Sequence, residues 1–187
     1  DSSRLAGLDE AMSRNPVRIS IIVPVYNNPR DLRECLAALA PSSCTGSEII
    51  VVDDASTDEI RSVAAEIGAN VLRLDKNLGP SSARNYGARH AHGDVLFFVD
   101  ADLLVRPDAV SRVLHVLERD PTVAAVFGSY DSTPRARGVV SQYRNLLHHY
   151  VHQQGNVEAS TFWAGCGAIR RSVFDEIGGF DEKRFTR

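Results

Sequence analysis

The chain has 187 residues, the size of one domain, and is long enough to bury a sizeable core without disulfides or a structural metal. Its formal net charge of −3 gives no electrostatic basis for nucleic-acid binding, so we expect no nucleic-acid partner. Three cysteines without metal-binding spacing are typical of a reduced, cytoplasmic protein. No apolar run approaches the ~20 residues of a membrane span, and no signal peptide opens the sequence.

The first part of the chain predicts a short leader followed by a strand and a helix. Residues 1–17 are polar and weakly patterned, and we interpret them as a leader or linker before a domain over residues 18–187. An apolar run predicts a strand over 18–25, turn residues follow, and a helix is predicted over about 30–40. The turn lacks glycine, which argues against dinucleotide-binding folds, P-loop NTPases and nucleotidyltransferases. Because the first residue is Asp1 rather than Met, we expect the sequence to be part of a longer protein.

The same alternation of strands and helices continues along the chain. Further strands are predicted over residues 48–52, 70–74, 95–99 and 123–127. The helices between them are predicted from Ser56 or Thr57 to about Ile67, from about Asn85 to His90, and over about 108–118. This order predicts an α/β fold with a mostly parallel sheet and helices on both faces.

Acidic residues follow two of the predicted strands. Asp53 and Asp54 close one strand, and Asp100 and Asp102 follow another. Ligands of open α/β sheets bind at the carboxyl ends of strands. In an extended chain Asp100 and Asp102 would face the same side, and two hard oxygen donors suit Mg²⁺ or Mn²⁺. The alternative is that the carboxylates only cap turns and helices, and the D-x-D pattern alone does not decide between the two.

Three later features carry weaker signals. Arg84 lies among small residues before a helix, which fits an anion site, with a surface position as the alternative. Trp163 would stack on a sugar or belong to the core, and Gly165 would let the backbone approach a ligand closely.

A helix is predicted over residues 139–154, and it carries two histidines four positions apart. His148 and His152 have the spacing of a zinc pair, but the glutamate of an H-E-x-x-H motif is absent because residue 149 is His. We therefore favour a polar helix face over a metal site. The aromatic and basic content of this region favours contact with a membrane surface.

Five segments of the sequence resemble the family-two inverting glycosyltransferases of GT-A fold. In chain order they are IIVPVYNN, EIIVVDDASTD, NLGPSSARNYGARHAHGDVLFFVDAD, WAGCGAIRRSVF and GGFDE. Each segment alone is common, but five in this order and at these spacings are specific, and they cover nearly the whole chain after residue 18. The resemblance implies a GT-A fold and transfer of a sugar from a nucleotide donor to an acceptor hydroxyl, with inversion at the anomeric carbon.

The resemblance also implies roles for individual residues. The base pocket would be lined by Pro24, Val25 and Tyr26. Asp54 would accept a hydrogen bond from the base, with Asp53 close behind it. We expect Asp54→Ala to weaken nucleotide binding while leaving the stability of the free protein nearly unchanged.

The diphosphate and the acceptor follow from the same resemblance. Arg84 would reach the base or the phosphates, Asp100 would contact the ribose or the metal, and Asp102 would bind the Mn²⁺ or Mg²⁺ that holds the diphosphate. UDP is the default nucleotide, and the acceptor would be a saccharide or a lipid-linked molecule. Trp163 and Gly165 would lie on the acceptor side.

The catalytic base is expected outside this sequence. In the resembling family a carboxylate of a Glu-Asp pair just beyond GGFDE takes the acceptor proton, and no such pair occurs before Arg187. Asp181 and Glu182 belong to the GGFDE segment itself. We therefore expect no catalytic residue within the chain, weak or absent transfer, and a parent protein that is cytoplasmic and associated with membranes. The alternative is a nucleotide-sugar-binding module without catalysis.

Overall fold

The computed structural model describes residues 18–43, 46–132, 138–154 and 161–184. The predicted leader, the cysteine at position 44 and the end of the chain lie outside the described residues. The boundaries predicted for the leader and the domain therefore stay predictions.

Six strands of the described residues form one sheet. They are β1 (Ile19–Val25), β2 (Glu48–Asp53), β3 (Asn70–Arg73), β4 (Val95–Val99), β5 (Ala125–Phe127) and β6 (Cys166–Arg170). Their order across the sheet is β3-β2-β1-β4-β6-β5. β1 pairs in parallel with β2 and β4, and β2 pairs in parallel with β3. Only β6 runs in the opposite direction, antiparallel to both β4 and β5. The predicted mostly parallel sheet is confirmed.

Six α-helices connect or cover these strands in the described part of the chain. They are α1 (Pro29–Leu39), α2 (Ile60–Ala65), α3 (Pro80–His90), α4 (Ala109–Arg119), α5 (Val139–Gln154) and α6 (Arg171–Glu176). The predicted start of α3 near Asn85 was wrong, because the helix begins at Pro80, whose fixed φ suits the first helical position. The predicted cap of α2 was also wrong, because Glu59 stands at its N-cap and the Ser56 hydroxyl instead accepts a hydrogen bond from Asn27.

Both faces of the sheet are buried. Alternate residues such as Ile21 and Phe97 pack with α1, α2 and α4, while Ile22 and Phe98 pack with α3 and α6 on the other face. The approach of α3 is close, because a Cβ at Gly87 would lie 2.6 Å from Ile22 Cγ2. Helices on both faces are therefore confirmed, and the sheet presents the carboxyl ends of β1, β2 and β4 along one edge.

Helix α5 differs from the others because none of its residues is buried. It contacts the domain through polar groups: His149 Nδ1 lies 2.6 Å from the Tyr130 carbonyl oxygen, and Asn145 donates to the Asp131 carbonyl at 2.8 Å. The apolar residues of α5 are exposed. Among the described residues, no helix combines the length and apolar character needed to cross a bilayer.

Candidate functional site

The carboxylate of Asp53 holds the turn that follows β2. This residue is buried, and its carboxylate forms an ion pair with Arg73 of β3 while accepting a hydrogen bond from the Ser56 amide at 2.8 Å. Arg73 also donates to the Ser56 carbonyl at 2.8 Å. Asp53 is thus the last residue of β2, and its carboxylate stabilises the turn that follows this strand.

Asp54 anchors the loop that leads into α3. The residue is buried, and its Oδ1 and Oδ2 accept hydrogen bonds from the backbone amides of Leu78 and Gly79, each at 2.8 Å. A carboxylate has further lone pairs, so these two bonds leave acceptor capacity for a ligand. Its contact with a nucleotide base stays a prediction.

The end of β1 lies beside the end of β2. The amide of Asp54 donates to the Val25 carbonyl at 2.9 Å, and the Thr57 amide donates to Asn27 Oδ1 at 2.7 Å. Val25 packs its side chain in the core, whereas Tyr26 is 50% exposed. Among the residues expected to line the base pocket, Tyr26 is thus the one that presents a large side chain at the surface of this edge.

Arg84 and Asp100 form an ion pair between α3 and the end of β4. The Arg84 side chain is only 11% exposed, and its guanidinium carbon lies 5.6 Å from the centroid of the Phe180 ring. Its Nε is buried and has no hydrogen-bond partner among the described residues. Arg84 is therefore an inward-facing residue, and the alternative of a surface position was wrong.

Asp102 lies in a turn rather than in extended chain. β4 ends at Val99, and the Leu103 amide donates to the Asp100 carbonyl at 3.0 Å across this turn. The premise that the two carboxylates point the same way as in a strand was therefore wrong. They still interact, because the pKa of Asp102 is raised by partial burial first and then by the negative charges of Asp100 and Asp31.

The pair Asp100 and Asp102 fits a divalent ion shared with a ligand. Nowhere in the described ranges do three or more His, Cys, Asp or Glu residues form a group that could hold a metal ion. Mg²⁺ commonly uses one or two carboxylates together with substrate phosphates and water, and Mn²⁺ accepts the same hard oxygen ligands. Burial is the first cause of the raised pKa of Asp102 and the negative charge of Asp100 the second, and a bound cation would offset both by favouring the ionised carboxylate.

A cleft of about 1170 Å³ begins at Asp102 and extends over the β5 side of the sheet. Asp31, Tyr130 and Trp163 line it together with apolar residues of α4 and the loop before that helix. None of the residues expected to hold the nucleotide lines this cleft; these are Pro24, Val25, Tyr26, Asp53, Asp54, Arg84 and Asp100. The cleft therefore lies on the other side of Asp102 from the carboxyl ends of β1 and β2.

Gly165 brings Trp163 next to the acidic pair. A Cβ at Gly165 would lie 2.9 Å from Trp163 Cζ2 and 3.2 Å from Asp100 Oδ2, so a larger residue has no room. The Asp100 amide also donates to the Gly165 carbonyl at 2.9 Å. Trp163 is partly buried yet lines the cleft, which combines packing with access to a ligand.

The histidines of α5 belong to an aromatic cluster. The ring of Tyr130 stacks on His148 at 5.2 Å between centroids and contacts Trp163 at the same distance. His152 lies 5.6 Å from Trp163, and its pKa is lowered by burial first and then by the nearby His148 and His149. The sequence favoured a polar helix face over a zinc pair at His148 and His152, and that choice stays a prediction.

The segment after α6 is bound to α3 by its polar groups. Asn85 donates to Glu182 Oε1 at 2.8 Å and Ser82 donates to Glu182 Oε2 at 3.2 Å, while Asp181 Oδ1 accepts from the backbone amides of residues 183 and 184. Tyr130, Asp31 and these α3 contacts were not foreseen from the sequence. The sequence carried no signal for these contacts, because the predicted helix began at Asn85 and the structure places this residue inside α3.

A mostly parallel sheet with carboxylates at the ends of β2 and β4, a cleft beside the second pair and helices on both faces defines a GT-A-type α/β domain. The sequence pattern of Glycosyl transferase family 2 matches residues 20–178, and the chain belongs to this family. The fold and the family expected from the five segments are confirmed.

Known proteins similar to this chain are glycosyltransferases. An uncharacterized glycosyltransferase of Haemophilus influenzae is 33% identical over 173 residues, covering 86% of this chain and 55% of that protein. The mannosyltransferase PcManGT of Pyrobaculum calidifontis, solved with GDP-Man and Mn²⁺, has a TM-score of 0.69 and 24% identity, covering 96% of this chain and 54% of that one. S. aureus TarS 1–349 with UDP-GlcNAc has a TM-score of 0.68 and 22% identity, with 88% and 48% coverage. The chain spans about half the length of these proteins.

Proposed function

We propose that this domain binds a nucleotide-diphosphate sugar and transfers the sugar to an acceptor hydroxyl with inversion, assisted by Mn²⁺ or Mg²⁺. The observation that carries the proposal is the grouping of Arg84, Asp100 and Asp102 at the end of β4, next to a cleft. Two carboxylates suit the cation, and a guanidinium suits the phosphates. The solved complexes with GDP-Man or UDP-GlcNAc support a donor of this class.

The diphosphate leaving group gathers negative charge as the glycosidic bond breaks. A divalent ion held by Asp102, with Asp100 beside it, would supply the electrostatic stabilisation of that charge when bound. Arg84 would donate hydrogen bonds to the phosphates or the base. Tyr26, with Pro24 and Val25 behind it, would form the base pocket, and Asp54 and Asp53 would fix the loops around it.

The cleft beyond Asp102 is the proposed acceptor site. Trp163 and Tyr130 offer aromatic faces for a saccharide, and apolar residues such as Leu104 and Val116 along the wall suit the apolar part of a lipid-linked acceptor. The general base that removes the acceptor proton is proposed to lie beyond Arg187, and a binding module without catalysis remains the second candidate. A transfer assay that compares this chain with a longer one containing a Glu-Asp pair separates the two.

Calorimetry of UDP binding tests the donor site and its metal. UDP should bind more tightly with Mn²⁺ than with EDTA, and Asp102→Ala should abolish that difference. Asp175→Ala, at an exposed carboxylate of α6, is the matched control and should behave as wild type. Equal affinities for UDP with and without Mn²⁺ would contradict the metal assignment.

We also propose that α5 meets a membrane surface and that the parent protein is cytoplasmic. The exposed residues Val140, Leu147 and Tyr150 belong to an apolar arc of about 140° on an ideal helix. Residues 138–154 contain no Asp or Glu, although the whole chain carries −3. Vesicles rich in phosphatidylglycerol should retain the wild type and lose Leu147→Asp. Ile177→Asp, at an exposed apolar residue elsewhere, should remain bound.

A further inference from the structure

We infer that Phe180 is a positioning residue for the donor diphosphate, because its ring holds Arg84 in the orientation from which the guanidinium reaches phosphate oxygens. This inference rests on the proposed function, since it concerns the same nucleoside-diphosphate site. It assigns a role in ligand binding to a residue that lies 78 or more positions after the other members of that site in the sequence.

Arg84 is a mostly buried cation with unused hydrogen-bonding capacity. Its guanidinium donates a hydrogen bond to Asp100 and lies over the Phe180 ring, while its buried Nε finds no hydrogen-bond partner in the part of the chain that the structure describes. Buried donors in proteins are nearly always paired, so an unpaired guanidinium N–H indicates capacity for a further acceptor. Phosphate oxygens match the fork of donors on a guanidinium, and a nucleoside diphosphate is therefore the class of ligand that would complete this site.

Phe180 is itself held rigidly. Its amide donates to Asn85 Oδ1 at 2.9 Å, and its carbonyl accepts from Asn85 Nδ2 at 2.9 Å. The ring lies edge-on to Phe98 at 5.0 Å and to Phe174 at 5.5 Å. The preceding Gly179 has φ of 78° and leaves no room for a Cβ, which would lie 2.7 Å from Asn85 Oδ1. The position of the ring is thus set by both the backbone and the packing.

A fixed aromatic face lowers the entropic cost of holding a flexible cation. Arg side chains have many rotamers, and a site that restricts them in advance loses less freedom when the ligand binds. Attraction between the guanidinium and the ring does not compete with hydrogen bonds to phosphate, because the ring attracts the cation through its π-face and accepts no N–H···O hydrogen bond. Loss of the ring should therefore weaken the diphosphate contact and leave the nucleoside contact intact.

The test compares Phe180→Leu with Phe174→Leu, which alters the same aromatic cluster but does not contact Arg84 in the described structure. Wild-type protein is first titrated with UDP and GDP in the presence of Mn²⁺, and the tighter ligand is used with its nucleoside. Phe180→Leu should bind the diphosphate about five- to thirty-fold more weakly and the nucleoside as well as wild type. Phe174→Leu removes one ring that packs on Phe180 and should weaken diphosphate binding much less than Phe180→Leu does, while Phe180→Tyr should retain diphosphate binding.

A double-mutant cycle distinguishes positioning from a general packing effect. Phe180→Leu should have no further effect on diphosphate affinity in an Arg84→Gln background, because the group that the ring positions is gone. If circular dichroism shows that Phe180→Leu is unfolded, Phe180→Met, which fills the space with a flexible apolar chain, replaces it.

The outcomes separate this inference from the function on which it rests. Unchanged diphosphate affinity in Phe180→Leu, an equal loss in Phe174→Leu, or additive losses with Arg84→Gln would each overturn the positioning role while the donor site stands. Failure of the wild-type protein to bind either nucleotide would refute the proposed function, and the inference with it.

Discussion

Replacement of Asp54 by alanine should destabilise the free protein, because this carboxylate holds the loop before α3. Both of its oxygens accept backbone hydrogen bonds at 2.8 Å, from Leu78 and from Gly79. Leu78 is 38% exposed, so water can replace its bond, whereas the amide of the buried Gly79 would lose its partner without replacement. Hydrogen bonds to charged groups contribute about 1.5–3 kcal/mol each, which gives an expected loss of roughly 2–4 kcal/mol.

Thermal unfolding followed by circular dichroism measures this loss directly. For a domain of this size, 2–4 kcal/mol corresponds to a decrease of roughly 4–16 °C in melting temperature. Asp54→Asn keeps an oxygen acceptor for one of the two amides and should lose about half as much. Asp58→Ala is the matched control, because it removes an exposed carboxylate from the loop between β2 and α2 in which Asp54 lies. It should unfold at the wild-type temperature.

The expectation from sequence was that Asp54→Ala would weaken nucleotide binding and leave the free protein nearly as stable as before. Because Asp54 accepts hydrogen bonds from two backbone amides, we instead expect the free Asp54→Ala protein to be less stable than wild type. An Asp54→Ala protein with unchanged melting temperature would refute the anchoring role. If the same protein had also lost its affinity for UDP, the refutation would favour the original assignment of Asp54 to the base.

Two further predictions concern α3 and the acidic pair. Gly87→Ala should lower the free energy of unfolding in urea by about 1–3 kcal/mol, because its Cβ would lie 2.6 Å from Ile22 Cγ2 and force α3 off the sheet. Gly68→Ala has no described atom within 4 Å of its Cβ, but φ at this position is 69°. This substitution should therefore destabilise the protein through backbone strain alone. Asp102→Asn should raise the melting temperature in EDTA at pH 7. The raised pKa of Asp102 means that wild type loses stability as pH rises from the ordinary Asp value through the raised value. The advantage of Asp102→Asn should therefore vanish at acid pH, and an advantage that is the same at all pH values would contradict the assigned cause.

The regular elements could be predicted because their residues carry strong periodic signals. Continuous apolar runs gave β1, β2 and β4, and the stripe of residues 139–154 gave the bounds of α5. β6 was not predicted, since Cys166, Gly167 and Ala168 lack the β-branched residues that mark a strand. Its glycine is required by a contact that no local pattern contains: a Cβ at Gly167 would lie 2.5 Å from the Trp163 carbonyl oxygen.

Periodicity predicted α5 but not the direction of its apolar face. A stripe of this kind normally packs on the core, yet Val140 and Tyr150 are exposed and His149 and Asn145 face the domain. The contacts of the acidic residues likewise could not be predicted from local sequence. Their positions after strands were visible in sequence, whereas the ion pair of Asp100 depends on a partner from another element.

The location of Arg84 depends on carboxylates that themselves contact backbone and helix groups. Asp54, at the end of β2, fixes the loop that enters α3. Glu182, far along the chain, accepts hydrogen bonds from Ser82 and Asn85, on either side of Arg84. Asp54 and Glu182, which are distant from each other in the sequence, therefore fix the part of α3 that places Arg84 beside Asp100. The GGFDE segment resembles part of a catalytic signature, but in this structure it stabilises the position of α3. Glu182 accepts hydrogen bonds from α3, and the ring of Phe180 lies against the Arg84 guanidinium. A carboxylate engaged in this way is poorly suited to take a proton from an acceptor.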